Sequence, residues 1–66
     1  MLHAILVDGI IERIEGTPEL AEAAVWKQRK AGHRSEYLFA ARSEQEFEQK
    51  RKNRLALLLR QCAAVH

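Results

Sequence analysis

Sixty-six residues make a single domain, 1–66, with no room for a second core. Eleven Lys and Arg against nine Asp and Glu leave a net charge of only +2, too small an excess to demand a nucleic-acid partner. A hydrophobic content of 47% excludes a disordered tail, and one cysteine, Cys62, excludes an intrachain disulfide.

A chain this short buries only about 60% of its unfolded surface, so association with a second copy is its most available source of stability. The longest charge-free apolar runs, Ala4–Val7 and Leu55–Leu59, fall far short of the roughly 20 residues a bilayer span needs. No basic start or cleavage site marks a secretory leader, and a lone thiol suits a reducing compartment. The expectation is a cytoplasmic protein with no membrane partner.

In chain order, LHAILV (2–7) and IIERIE (10–15) flank Asp8-Gly9. Two apolar runs separated by Asp-Gly predict a hairpin closed by a type I′ turn. In that register Val7 faces Ile10, Leu6 faces Ile11 and Ile5 faces Glu12. One face then carries His3, Ile5, Val7, Ile10 and Ile14; the other carries Leu2, Ala4, Leu6 and Ile11. The first strand is apolar on both sides, as a central strand covered on both faces would be. A rival reading places Leu2, Ile5, Leu6, Gly9, Ile10 and Ile14 on one stripe of a helix.

The next segment, 18–31, is helical, with Thr17 as N-cap, Pro18 at the first position and Gly32 as the stop. Glu19 and Glu22 precede Lys27, Arg29 and Lys30, which suits the helix dipole. Leu20, Ala24 and Ala31 are the predicted buried stripe, which puts Trp26 on the polar arc with Glu19, Glu22, Arg29 and Lys30. EYLFAA (36–41) then reads as a strand. Ser43 and Glu46 form a capping box, opening a second helix that runs to about Ala64. Glu46–Lys50 and Glu48–Lys52 are favourable i,i+4 pairs along it. Its apolar stripe is Phe47, Leu55, Leu58, Leu59, Cys62 and Val65, and covering the sheet is its simplest role.

The predicted fold class is therefore α+β, a ββαβα chain with an antiparallel sheet of order 2-1-3. The alternative is an all-α bundle of three helices.

Chemistry is sparse. The only Asp lies in a turn, no Gly-rich phosphate loop exists, and no serine sits in a nucleophile context. Cys62 and His66 have a spacing that two metal ligands can share, but completing the set would need His3 and His33, and no paired motif supports that. The expectation is no enzyme, no cofactor and no metal.

Trp26, Lys27, Arg29 and Lys30 are the predicted partner-binding residues, because an exposed indole ringed by charge has the composition of an interface hot spot. The competing reading buries Trp26 under the second helix. Leu55, Leu58 and Leu59 are the alternative to core packing, a homodimer seam. The function expected is a small regulatory protein that binds a protein partner and self-associates as a homo-oligomer. The alternative is a small nucleic-acid-binding regulator, with Arg34, Lys50, Arg51, Lys52 and Arg54 joining the first basic segment on phosphates.

Overall fold

Asp8 and Gly9 adopt φ of 51° and 84°, the left-handed pair that a two-residue type I′ turn requires. They join β1 (Leu2–Val7) to β2 (Ile10–Glu15), with Val7 opposite Ile10, Leu6 opposite Ile11 and Ile5 opposite Glu12. A helix across this region is excluded, since two successive residues at positive φ break it. The chain continues through α1 (Pro18–Lys30), β3 (Ser35–Ala41) and α2 (Glu44–Ala64). The structure, a computed structural model, describes residues 1–64 and the side chains of residues 1–60. The order is ββαβα as predicted, and the three-helix bundle does not form.

β1 is the central strand, antiparallel to both neighbours in the order β2-β1-β3. Its pairing with β3 shifts register at one point: Ala4 lies opposite Phe39 and Ile5 opposite Tyr37, so Leu38 is an extra residue in a bulge. The helices lie on opposite faces. Ile5 and Val7 pack with Val25 and Ala24 of α1, joined by Ile14. Leu2 and Ala4 pack with Ala41 and with Phe47 of α2, joined by Ile11, Leu38 and Phe39. Five of the six β1 residues are buried, as a strand covered on both sides must be.

α1 is capped as the sequence predicts. Thr17 Oγ1 accepts from the Leu20 N–H at 3.3 Å. At the other end the Gly32 N–H donates to Arg29 O and the His33 N–H to Gln28 O, each at 3.0 Å. Gly32, at φ 94°, supplies the left-handed residue of this Schellman motif. The buried stripe, however, is not Leu20, Ala24 and Ala31. Ala21 and Val25 are buried and Ala24 is half-buried, while Leu20 and Ala31 are exposed. Small residues at 21, 24 and 25 let the helix approach the sheet, and Leu20 instead covers Gly16, where a Cβ would sit 2.6 Å from Leu20 Cδ1.

α2 begins with Ser43 Oγ accepting from the Glu46 N–H at 3.2 Å. Glu46 reaches back to the Arg42 N–H at 3.0 Å, one residue earlier than the usual capping-box partner. That bond, and then Lys50, hold the Glu46 carboxyl below its ordinary pKa. Glu46–Lys50 forms at 3.1 Å, but Glu48 pairs with Arg51 rather than Lys52, at 2.8 Å. The predicted stripe does not cover the sheet: Phe47 is buried and Leu58 half-buried, whereas Leu55 and Leu59 are exposed. The reason is angular position: at about 100° per residue Leu58 falls about 20° from Phe47 around the helix, whereas Leu55 falls about 80° and Leu59 about 120° away. Twenty-one helical residues span about 31 Å and the seven residues of β3 about 23 Å, so the helix is also longer than the strand beneath it.

Candidate interaction surfaces

Trp26 is 58% exposed. α2 cannot cover it, because α2 packs on the other face of the sheet. The indole is held in place from its own helix: the Arg29 guanidinium carbon lies 5.0 Å from the ring centroid, and Arg29 Nε donates to Ser35 O at 2.9 Å. Beside it a notch of about 220 Å³ is lined by Glu22, Val25, Trp26, Arg29 and Tyr37. Tyr37 is also anchored. Its hydroxyl meets His3 Nδ1 at 2.9 Å, and His3 Nε2 meets Gly16 O at 3.1 Å. A carbonyl only accepts, so the Nε2 N–H donates to Gly16 O. Buried His3 is thereby satisfied, and Tyr37 remains partly exposed.

The predicted partner residues do not all share this surface. At about 100° per residue, Lys30 and Arg29 stay on the Trp26 flank while Lys27 turns towards the back of the helix. Tyr37 and Glu22 belong to the surface and were not among the predicted site residues. Glu22, one turn before Trp26, was visible as its helical neighbour. Tyr37 depends on the register of β3 and its bulge, which no periodicity reveals.

The second apolar surface is the far half of α2. Leu55 and Leu57 are exposed, Leu59 is 71% exposed, and Leu58 is half-buried. Leu57 falls outside the predicted stripe, so this half of the helix is apolar over most of its circumference. A shallow groove of about 350 Å³ between it and β3 is lined by Phe39, Lys50, Asn53, Arg54 and Leu57.

The two basic segments sit on opposite faces of the sheet, and several of their side chains are engaged locally. Among the described residues no strand lies beyond β3, and its edge carbonyls accept from both segments: Ser35 O from Arg29, Leu38 O from Arg54 Nη2 at 3.4 Å, and Ala40 O from Lys50 Nζ at 2.7 Å. Cations over an edge strand also block strand pairing there. Arg51 bonds Glu48. Lys52 is exposed, and Arg34 lies at the turn end of the sheet.

That turn end forms an open depression of about 830 Å³. Asp8 organises it: Oδ1 accepts from the Arg34 N–H at 2.9 Å, Oδ2 meets His33 Nδ1, and the Asp8 N–H donates to Arg34 O at 2.9 Å. The Arg34 N–H first, and then the His33 ring, hold the Asp8 carboxyl below its ordinary pKa. Ser35 lines the same depression, but its hydroxyl is buried without a hydrogen-bond partner, so His33 does not reach it and no Ser-His-Asp relay is assembled. Asp8 and His33 act as a clasp between the hairpin turn and the α1–β3 loop. Among the described residues no group of three metal-ligating side chains converges. Of the four residues considered for a metal, His3 and His33 are engaged as above, while the Cys62 side chain and His66 lie outside the described residues, as does Val65. No helix among the described residues is long and apolar enough to cross a membrane.

Comparison with family models, curated proteins and solved structures finds no match, so the functional reading rests on these residues alone.

Proposed function

We propose that this chain is a small, non-catalytic binding protein that works by protein–protein contact and self-associates. One observation carries the reading: large apolar side chains remain uncovered on two opposite surfaces, Trp26 on α1 and Leu55, Leu57 and Leu59 on α2. A domain of this size has little core to spare, and apolar patches of this kind mark contact sites. Trp, Tyr and Arg, the residue types that dominate binding energy, meet at Trp26, Tyr37 and Arg29. The basic segments form no single face, so protein contact is favoured over nucleic acid.

The test is the molar mass in solution by sedimentation equilibrium, from micromolar to several hundred micromolar chain. A rise above the monomer mass with concentration is expected. A constant monomer mass throughout, with steep salt-sensitive binding to duplex DNA, would replace this reading with the nucleic-acid one.

A further inference from the structure

One flank of α1 carries an ordered series: Glu19 and Glu22, then Trp26, then Arg29 and Lys30. At 3.6 residues per turn these five fall within an arc of about 100°. All five are exposed, and the arc is turned away from the sheet contacts at Ala21 and Val25. Among the described residues Glu19, Glu22 and Lys30 make no ion pair. Acid, indole and base thus run along the flank with Trp26 at the centre, Glu22 four residues before it and Lys30 four after.

This series is its own complement when reversed. We propose that the flank is a two-fold homodimer interface, in which the α1 helices of two copies pack antiparallel about Trp26. Each Glu22 then meets Lys30 of the second copy, while Trp26 and Tyr37 supply the apolar centre. A two-fold contact requires a surface that matches itself under rotation, and an unrelated partner imposes no such symmetry. Antiparallel helices also set opposite dipole ends together. The centre is preorganised, since Arg29 holds the indole and His3 holds Tyr37.

Residues 55–60 of α2 have no such pattern, with Arg60 their only charge. The homodimer seam therefore passes from Leu55, Leu58 and Leu59 to the Trp26 flank, leaving the leucines for a different contact. One helix flank buries less than the roughly 1,600 Å² of a standard interface, so the dimer is a weak one.

This inference rests on the self-association proposed above, and charge exchange tests it separately. Sedimentation equilibrium is run on the wild type, on Glu22→Lys, on Lys30→Glu and on an equimolar mixture of the two variants. Trp26, the only tryptophan, gives an independent fluorescence readout of the contact. Each variant alone should dimerise at least ~10-fold more weakly, because like charges face one another twice. The mixture should recover wild-type dimerisation and the blue-shifted indole emission, because each new lysine meets a new glutamate. A wild type that stays monomeric ends the self-association reading itself. A wild-type dimer indifferent to both charge variants but lost in Leu57→Ser or Leu59→Ser keeps that reading and overturns this interface. Weakened variants that mixing does not rescue overturn it as well.

Discussion

The two faces of the sheet are covered unequally. α1 contacts all three strands, whereas the sheet contacts of α2 centre on β3 and β1. Thirteen residues of α1 span about 20 Å, which matches six-residue strands, so the whole helix finds sheet beneath it. α2 is anchored by Phe47, whose ring centroid lies 5.4 Å from that of Phe39, and then overruns the sheet. A helix matched in length to its sheet distributes its packing, while an overlong one concentrates it in its first turns and leaves the rest for other contacts.

Truncating the two anchors sharpens this contrast most. Phe47→Ala removes the one buried large side chain among the described residues of α2 and should cost about 3–5 kcal/mol, with loss of helix signal as α2 detaches. Val25→Ala removes one contact of several under α1 and should cost only about 1–3 kcal/mol with the helix retained. Urea melts followed by far-UV circular dichroism check both. Equal costs would mean that the faces are equivalent after all.

Gly16 tests how α1 is led onto its face. It sits at φ 132°, and Leu20 Cδ1 occupies the space a Cβ would need. Gly16→Ala should destabilise by about 1–3 kcal/mol through backbone strain and the displaced leucine. In a Leu20→Ala background the steric part disappears and the backbone part remains, so the penalty should shrink without vanishing. A penalty unchanged by Leu20→Ala would show that backbone conformation alone sets it.

Most of this framework was legible because its signals are local. Asp8-Gly9, Thr17-Pro18, Gly32 and Ser43-x-x-Glu46 each specify their conformation within four residues, and the apolar symmetry of 2–7 places β1 at the centre. What escaped prediction depends on distance. Which of Leu20, Ala21 and Ala24 faces the sheet depends on how Gly16 and Leu20 fit together. Whether Leu55 and Leu59 are covered depends on which side of α2 turns to the sheet, the side that carries Phe47 and Leu58. Tyr37 joins Trp26 only through the bulge at Leu38, and Arg29, Lys50 and Arg54 find the β3 edge only once both helices are docked.

The clasp at Asp8 ties the hairpin turn to the α1–β3 loop, and its effect should be smaller and confined to acid. Its depressed pKa means the carboxylate favours the folded chain at neutral pH. That contribution is complete above the unfolded aspartate value of about 3.9 and is lost as pH falls through the lower folded one. Wild-type stability should therefore decline below about pH 4 more steeply than that of Asp8→Asn. Asparagine tolerates the positive φ and can still accept from the Arg34 N–H, so the variant removes the titrating carboxyl while keeping that bond. Parallel acid slopes in urea melts would assign the effect elsewhere, with Glu46 the next carboxylate to test.

The smallest effect is expected at Leu59, and its smallness is the point. Leu59→Ser should change folding stability by no more than about 0.5 kcal/mol, since a 71% exposed side chain has little packing to lose. A leucine costs a chain solubility when it faces water, so one that contributes nothing to the fold needs another reason to be there. Backbone hydrogen exchange separates the cases. Amides of residues 55–60 should exchange through local fraying, well before those of α1, in the isolated chain. Protection equal to that of α1 would mean that these leucines are already covered by the chain's own association, and that α2, not the Trp26 flank, is where two copies meet.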